Sequence, residues 1–533
     1  MQHGKGVHNI PKTRGASRPS IGNMLPVVPH WRALSMIRHW TSQTDYLDFL
    51  TAGIDALDPS QRKRLDGMTT TLEKMKLLDL DPVEELLLPC YSPIGRPAVH
   101  QMEILRSLIL MPEMGYTGIT AWVDALQHDE LLDLLIGCRP YDLPPLGSYY
   151  DFITRLWLDP APEKCGRKDL YSADRNCKPK GNKPGKGKKL EETRHPGICA
   201  TMVENLQKGK DIPFNFEALL ESILTEVGTK PSIEDGLIPD AAEGITLSGD
   251  GSCLHTHANP YGKKVCDCES KGIYDCNCPR HYSDIDAAWG WDSDLSVYYF
   301  GYNLYTETYH NSDLGVDLSL ITRIINGRRH DSVSSIVCLH EFRKRCPDIR
   351  IANLCLDSAS DNYPTYTLCK EWGINPFIDL NSQRGRPKSI PDAIKIDKDG
   401  TPICSGGLHM VYQGNDYKGH RVKWRCPVAC GKADACPLST PCSPSSYGRC
   451  VYTKPAWDIR LYTPVARGTD AWKKIYRNRT SCERMNNRIL NDYRLHAMKI
   501  HGRKRASFFA TVDGINIHLD ARLKVRATAA AAG

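Results

Sequence analysis

The apolar residues between positions 45 and 158 recur at the spacing of an α-helix. The clearest runs are Met102, Leu105, Leu108 and Ile109, followed by Leu126, Leu131, Leu132 and Leu135. Residues three and four apart share one face of a helix, so each run forms an apolar stripe. The turn signals Gly95-Arg96-Pro97 and Arg139-Pro140 bracket these runs. Residues 45–158 are therefore predicted to form a helical N-terminal domain.

From Gly244 onwards the pattern changes to alternating strands and helices. The apolar residues Ile245, Leu247 and Gly249 alternate with polar Thr246, Ser248 and Asp250, which indicates a half-buried strand. The further predicted strands are Val297–Tyr305, the apolar run Ile351–Leu356 and the short segment Pro376–Leu380. The predicted helices are 199–232, Ser332–Arg345, Tyr363–Trp372 and Ala471–Leu495. This alternation predicts an α/β fold, with a sheet whose faces are covered by helices.

Four segments lack the pattern of a packed core. Residues 1–44 are rich in Gly, Pro and Arg, and residues 159–197 combine Pro, Gly and Lys, so we expect a flexible N-terminus and a basic linker. Residues 381–460 are irregular and rich in Cys, Pro and Gly. They are predicted to be an insertion between two parts of the α/β domain, residues 198–380 and 461–520. The Ala-rich residues 521–533 are predicted to be a disordered tail.

The net charge of +7 is modest for a chain of 533 residues, but it is unevenly distributed. Six Lys and Arg and no acid lie in residues 1–44, ten against two acids in residues 164–189, and eleven against two in residues 473–505. Such blocks suit a polyanionic partner, because each cation that meets a phosphate releases a counterion. For the first block, a merely solvated tail is an equal alternative. The helical N-terminal domain is accordingly expected to bind DNA or a second subunit.

The sequence predicts neither a membrane span nor an exported protein. The most apolar stretch, Glu103–Val123, is broken by Pro112, Glu113 and two glycines, and no secretory signal follows the N-terminal basic residues. The 21 cysteines are an odd number in a long chain. Disulfides are therefore not expected, and clustered cysteines point to bound metal in an intracellular protein.

Two aspartates stand where predicted strands end. Asp250 closes the segment Leu247-Ser248-Gly249, and Asp357 follows the buried run Ile351–Leu356. A carboxylate beside an apolar strand is costly to desolvate unless a cation meets it. Ligands of open α/β sheets lie at strand ends, so the two aspartates are predicted to share a divalent metal ion.

A third acid lies on the last predicted helix. Tyr476, Arg479 and Glu483 stand at positions i, i+3 and i+7, so all three project from one helix face. That face offers a carboxylate for a metal ion and a guanidinium for a phosphate, which is what phosphoryl transfer on a nucleic acid requires.

The spacing of Tyr476, Arg479 and Glu483 resembles the tyrosine–arginine–glutamate–lysine signature of bacterial insertion-sequence DDE transposases. The chain departs from that signature where Leu490 replaces the lysine; Arg488 and Arg494 are the candidate substitutes. Other segments also resemble this family, and together they cover residues 90–157 and 244–510. They are Gly95-Arg96-Pro97, Tyr299–Leu304, His330-Asp331-Ser332 and Asp357–Tyr363.

The resemblance implies a ribonuclease-H-like mixed sheet in which Asp250, Asp357 and Glu483 hold two Mg²⁺ ions. It implies that Arg479 contacts a DNA phosphate, that Tyr476 positions DNA near the cut, and that Arg488 also binds DNA. The partners implied are double-stranded DNA, as element ends and target, and further copies of the chain in a dimer or larger assembly. The implied location is the cytoplasm of a bacterium, at the nucleoid.

The clustered cysteines predict two structural zinc sites. Cys266-Asp267-Cys268 and Cys276-Asn277-Cys278 place four thiols close together, in a knuckle over residues 266–281. The alternative is a pair of turns with reduced thiols and no metal. A second set lies in the insertion, where we expect Cys426, Cys430, Cys436 and Cys442 to bind zinc. Metal would compensate there for the lack of a hydrophobic core.

Four alternatives to this interpretation stay open. Asp250 and Asp357 can be turn or cap residues, and Glu483 can pair with an arginine of its own helix. Asp361 is a rival to Asp357, although a helix-capping role suits it better. The chain can also be a metal-dependent nuclease without strand transfer, or an inactive, zinc-bearing DNA-binding protein that descends from a transposase.

Overall fold

The computed structural model of the chain describes twelve stretches of residues. They are residues 37, 40–92, 94–158, 197–212, 215–239, 243–276, 278, 280–293, 295–382, 386–416, 418–440 and 442–532. The predictions for the N-terminus (1–44) and the basic linker (159–197) fall almost wholly outside these residues.

The first part of the chain is helical, as the apolar spacing predicts. Its eight described helices are α1 (Gln43–Ala56), α2 (Pro59–Asp66), α3 (Thr69–Leu77), α4 (Val83–Leu87), α5 (Gln101–Glu113), α6 (Ile119–Leu126), α7 (Glu130–Ile136) and α8 (Leu146–Arg155). Helix α5 carries the predicted stripe and is buried along most of its length. Its core continues into the C-terminal residues Phe509, Val512 and Ile515, so these helices share one core with the end of the chain.

The region predicted as one helical piece, 199–232, is divided in the structure. It comprises α9 (Ile198–Gln207), α10 (Ala218–Leu224) and α11 (Lys230–Glu234), with a π-helical turn between the last two. Buried Glu221 on α10 binds Arg323 at 2.6 Å and Arg345 at 2.6 Å. These ion pairs join α10 to the α/β part of the chain, which begins at Ile245.

A mixed sheet of six strands forms the centre of the molecule. Its strands are β1 (Ile245–His255), β4 (Ala288–Asp292), β5 (Val297–Asn311), β6 (Val316–Asn326), β7 (Ile351–Leu356) and β8 (Asn375–Ile378). A separate two-stranded ribbon consists of β2 (Lys263–Lys264) and β3 (Arg280–His281). In the sheet β1 lies between β5, which is antiparallel, and β7, which is parallel; β6 pairs with β5, and β8 extends the parallel side.

Helices cover both faces of this sheet. They are α12 (Asp331–Arg345), α13 (Tyr363–Glu371), α14 (Asp470–Tyr476), α15 (Thr480–Asn487) and α16 (Arg503–Ala532). Helix α12 connects β6 to β7 and packs through Leu339 and Phe342 against one face. Helix α15 packs through Met485 into the core on the other face. The predicted α/β class, a mixed sheet with helices, is thus confirmed.

Two predictions about the elements are wrong, and one strand was missed. Asp250 does not end its strand, because β1 continues to His255 through pairing with β5. The predicted disordered tail, 521–533, is helical to Ala532, because α16 is anchored by Arg522, which binds Asp235 at 2.7 Å. Strand β6 was not predicted, although Leu318, Leu320, Ile321 and Ile324 are all buried in it. Its first half does alternate apolar and polar residues, whereas its second half is buried on both faces and includes the polar residues Thr322 and Arg323.

The Cys-rich region, 381–460, contains a small antiparallel sheet. Its strands are β9 (Val411–Asp416), β10 (Arg421–Arg425) and β11 (Cys450–Thr453), with β10 in the middle. A core of Cys404, Met410, Val422 and Trp424 packs beneath it. The Trp424 indole donates to Thr453 at 2.9 Å. Within the residues that the structure describes, no helix is both long enough and apolar enough to cross a bilayer.

Candidate active site

Asp250 lies in the middle of β1, on the face of the sheet that α15 covers. It is opposite Thr306 of β5, whose hydroxyl donates to Asn486 of α15 at 2.8 Å. Gly249 and Gly251 flank Asp250 in the strand, so a side chain at either position would lie on the opposite face of the sheet. There is no room for one there. A Cβ on Gly251 would lie 2.5 Å from Asp331 Oδ1, and a Cβ on Gly249 would lie 2.4 Å from the Tyr305 hydroxyl. Glycine at both positions lets β1 approach these side chains while Asp250 faces the helix.

The sheet register brings Asp357 beside Asp250. Strands β1 and β7 run parallel, and Ser248 lies opposite Cys355. Asp250 and Asp357 are each two residues further along the chain, so this register places them beside each other. Asp357 directly follows β7, and its carboxylate accepts the Ala359 N–H at 3.1 Å. Asp357 therefore caps the short helical turn that follows it, which is the role that the sequence left open. This hydrogen bond uses only one lone pair of the carboxylate, so the others stay available.

Arg479 joins the third acid to this pair. Its guanidinium lies 3.3 Å from Asp250 Oδ2 and also forms an ion pair with Glu483, one helical turn further along. The spacing of Arg479 and Glu483 in the sequence predicted this shared face. Glu483 is half exposed, with 50% of its side chain accessible. The register places Asp357 beside Asp250, and Arg479 links Asp250 to Glu483, although the three acids are 107 and 126 residues apart along the chain.

The charge in this cluster suits a divalent cation. Burial raises the pKa of Asp250 to about 7; Arg479 opposes this shift, while Asp357 and Asp331 add to it. Buried carboxylates that repel one another are stabilised when a metal ion lies between them. Their oxygens are not all within 4.8 Å of one another, because Arg479 is inserted between Asp250 and Glu483. The donor set fits Mg²⁺, which takes oxygen ligands and retains several waters.

Asp331 is a fourth carboxylate that the sequence did not single out. It begins α12, is partly buried, and its Oδ1 accepts from the Asn303 amide at 2.5 Å. Burial and the nearby Asp357 raise the pKa of Asp331 to about 6. The segment His330-Asp331-Ser332 was noted in the sequence as a turn before a helix. An acid at a helix N-terminus usually serves the helix itself, so only the tertiary structure reveals that Asp331 lies near Asp250 and Asp357.

Tyr476 lies one helical turn before Arg479, on the same helical run. Its ring stacks on Trp472 with the centroids 4.6 Å apart, and it packs beside Phe377 of the sheet core. Burial raises the pKa of the Tyr476 phenol, and Asp379 raises it further. The side chain is half buried and held by these contacts, so it is fixed in position at the border of the carboxylate cluster.

The two arginines considered as substitutes for the missing lysine are engaged elsewhere. Arg488 binds Asp520 of α16 at 2.5 Å, and Arg494 donates to the Gly115 carbonyl at 3.3 Å. Asp520 also binds buried Lys74 and accepts from the Tyr493 hydroxyl at 2.5 Å. Arg488 therefore stabilises the packing of the C-terminal helix. Its ion pair holds it on α16 instead of at the carboxylates, and its contact with DNA stays a prediction.

Asp361 has a structural partner that excludes it as a member of the cluster. It is 2% exposed and binds Arg460 through two hydrogen bonds, of which one is 2.8 Å and the other 2.5 Å. It also accepts the Asn381 N–H at 2.9 Å. Arg460 lies at the end of the Cys-rich region, so this buried ion pair fastens that region to the sheet.

Replacing Asp361 by asparagine should therefore destabilise the fold. The change leaves a buried guanidinium without a counter-charge, which costs about 3 kcal/mol of the free energy of unfolding. Urea denaturation followed by circular dichroism measures this cost. The matched control is Asp392→Asn, at an exposed acid, which should change stability by less than about 0.5 kcal/mol. Equal stability of the two variants would contradict the structural role of Asp361.

The first cysteine cluster forms as predicted. The sulfurs of Cys266, Cys268, Cys276 and Cys278 all lie within 4.8 Å of one another, and the group could hold a metal such as zinc. Cys266 and Cys276 are 3.5 Å apart, as are Cys268 and Cys278. A zinc ion bound at about 2.3 Å by four sulfurs requires a similar separation, roughly 3.8 Å. Hydrogen bonds from Cys268 and Cys276 lower the pKa of the Cys266 thiol, whereas the hydrogen bonds with Cys278 and Cys266 raise the pKa of Cys268, so in the absence of metal Cys266 is the thiol that ionises first.

The second predicted zinc site does not form. Cys426, Cys430, Cys436 and Cys442 belong to no group of three or more metal-binding side chains among the described residues. Cys426 and Cys430 lie in one turn after β10, whereas Cys436 packs beside Gly406 and Cys442 is exposed. The small core beneath β9–β11 supplies the stability that metal was expected to provide. All nineteen cysteines in the described ranges are free of disulfides.

Comparison with protein-family models and comparison with curated proteins each give no match to this chain. A function for the chain must therefore be inferred from its own residues and from the geometry of the carboxylate cluster.

Proposed function

We propose that the chain is a DDE transposase, which cleaves DNA at the ends of a mobile element and joins those ends to target DNA. One observation carries the proposal: Asp250 and Asp357 stand side by side on neighbouring parallel strands, and Arg479 links Asp250 to Glu483. The acids are those that the resemblance implies, in its order. A mixed sheet flanked by helices, with one acid on its central strand, supports a ribonuclease-H-like class for the catalytic domain.

Asp250, Asp357 and Glu483 would hold two Mg²⁺ ions. Bound magnesium lowers the pKa of an attacking water or 3′-hydroxyl and stabilises the leaving oxygen. The protein's remaining task is positioning and charge stabilisation, because phosphoryl transfer requires little else. Arg479 is paired with Asp250 and Glu483 in the metal-free chain. Metal ions bound by these acids would replace it as their counter-charge, and its guanidinium would then be able to bind the scissile phosphate through two hydrogen bonds. Tyr476, fixed by Trp472, provides a rigid surface against which DNA can be aligned.

The remaining parts of the chain suit this role. The Cys266–Cys278 group would bind zinc as a structural ion, because all four ligands are thiols and none leaves an open position. Double-stranded DNA is the proposed partner, with the chain acting as a dimer or larger assembly on paired ends. Such an enzyme would act at the nucleoid, in the cytoplasm of a bacterial cell.

Incubation with DNA that carries the reading frame and its flanking sequence tests this proposal. We expect Mg²⁺-dependent cleavage at inverted repeats and insertion of the cleaved ends into a supercoiled plasmid, both visible on gels and by sequencing of the junctions. Cleavage without joining would indicate a metal-dependent nuclease. DNA binding with neither reaction, in Mg²⁺ or Mn²⁺, would indicate an inactive DNA-binding protein and contradict the proposal.

A further inference from the structure

The helical run that contains Glu483 carries six cations, and the structure divides them into two groups. Lys473, Lys474 and Arg477 precede Arg479, whereas Arg484 and Arg488 follow Glu483. In the sequence these residues form one basic block, and nothing in the block distinguishes its two halves.

The cations after Glu483 are neutralised within the protein. Arg484 binds both oxygens of Asp317 on β6, at 2.6 Å and 2.7 Å. Arg488 binds Asp520, as described above. A guanidinium that already shares its charge with a carboxylate gains little from a phosphate, because the existing ion pair must first be broken. This half of the run is therefore poorly suited to bind a polyanion.

The cations before Arg479 are free. Lys473, Lys474 and Arg477 are exposed, and none of them forms an ion pair or a side-chain hydrogen bond within the described part of the chain. Asp470, in the first turn of α14, lies close enough in sequence to pair with Lys473 or Lys474 but does not. Three unneutralised charges thus follow one another within two turns, immediately before the carboxylate cluster.

A second pair of free cations stands in the turn that leads to Asp331. Arg328 and Arg329 are exposed in the turn between β6 and α12, two and three residues before partly buried Asp331. No ion pair engages either side chain among the residues that the structure describes. Asp331 approaches β1 from the face of Gly251, whereas Arg479 approaches Asp250 from the other face. Each free group therefore directly precedes, along the chain, a residue that contacts β1 beside Asp250.

We infer that Lys473, Lys474 and Arg477, together with Arg328 and Arg329, bind the DNA phosphates on either side of the bond that is cut. This inference rests on the proposed function and adds the path of the DNA. The duplex lies over the first half of the helical run, crosses the carboxylates and continues to the turn before α12. The second half of the run does not touch it. Clustered carboxylates repel a phosphate backbone, so free cations beside them are needed to hold it.

The salt dependence of DNA binding tests this path. The probe is a duplex of about 30 base pairs from the DNA that flanks the reading frame, with affinity measured by fluorescence anisotropy from about 50 to 300 mM KCl without added Mg²⁺. Each lost phosphate contact should reduce the slope of log K against log salt by about 0.9. We expect a reduction of about 2 to 3 for the triple variant K473Q/K474Q/R477Q, and of about 1 to 2 for R328Q/R329Q.

Two control variants make the result specific. Arg484→Gln removes a cation from the same helical run that is already paired, and Lys370→Gln removes an exposed cation from α13. Both should keep the wild-type slope, and unchanged thermal melting of every variant shows that the fold is retained. The single variants K473Q, K474Q and R477Q, each expected to reduce the slope by about 0.9, serve if the triple variant melts early.

Each possible result either supports or overturns the proposed path of the DNA. Wild-type slopes in both cation variants would overturn the inference, yet the proposed function would stand if the wild type cleaves DNA. An equal loss in R484Q and in the triple variant would also overturn it, because the paired half of the run would then contact DNA. Failure of the wild-type protein to bind any duplex would remove the proposed function together with the inference.

Discussion

Replacement of Asp250 by asparagine is expected to abolish DNA cleavage while DNA binding is retained. Asparagine has nearly the same shape but lacks the negative charge that a metal ion requires, and the fold around Gly249 and Gly251 is undisturbed. Loss of at least about 1,000-fold in the cleavage rate is expected, which corresponds to about 4 kcal/mol of transition-state stabilisation. Asp357→Asn and Glu483→Gln should have the same effect, because each removes one ligand from the shared site. Cleavage of labelled element-end DNA measures all three.

A metal-specific rescue separates a ligand from a merely structural acid. Asp250→Cys should be inactive with Mg²⁺, which binds oxygen, and should regain activity with Mn²⁺, which accepts sulfur more readily. The matched control is Asp313→Asn, at an exposed acid in the turn between β5 and β6, which should keep wild-type activity. Full cleavage by any one of the three carboxylate variants would remove that residue from the active site.

Loss of one cysteine from the Cys266–Cys278 group is expected to release one zinc ion per chain and unfold the knuckle. Structural zinc contributes about 10 kcal/mol or more to the folding of small metal-bound elements, and this knuckle has little other core. Four large apolar residues in or beside the knuckle are exposed instead of packed: Tyr261, Val265, Ile273 and Tyr274. Elemental analysis of Cys276→Ser should give no zinc, and limited proteolysis should cut between β2 and β3. The six-stranded sheet should stay resistant to the protease, because the hydrophobic clusters that pack against it contain no residue of the knuckle.

Cys436→Ser is the matched control for the zinc measurement. It removes a thiol from the second cysteine set, which the structure does not assemble, so the zinc content should stay at that of the wild type. If the wild-type chain holds two zinc ions and Cys436→Ser holds one, the second cysteine set is a zinc site after all. Wild-type protein that is folded and free of metal would contradict the knuckle as a zinc site.

The two long-range ion pairs explain why part of the candidate site could not be predicted. Asp361 and Arg460 are 99 residues apart, and Arg488 and Asp520 are 32 apart. Asp361 and Arg488 stand in segments whose sequence suggests a role in catalysis or DNA binding. Their true partners are brought to them by packing, which hydrophobic periodicity does not encode. The same limit applies to Asp331, whose neighbour Gly251 lies 80 residues earlier in the chain.

Sequence alone determined the features that depend on local spacing. Alternation located the start of β1, apolar runs located β7, and helical spacing placed Arg479 beside Glu483 on one face. Four closely spaced cysteines determined the knuckle, because few residues separate its ligands. Tertiary structure decided what depends on distant partners: the length of β1, the order of α16, and which acids and cations remain free. The physical reason is that a charged side chain becomes available to a ligand only when no buried counter-charge has already bound it, and that pairing is made across the whole fold.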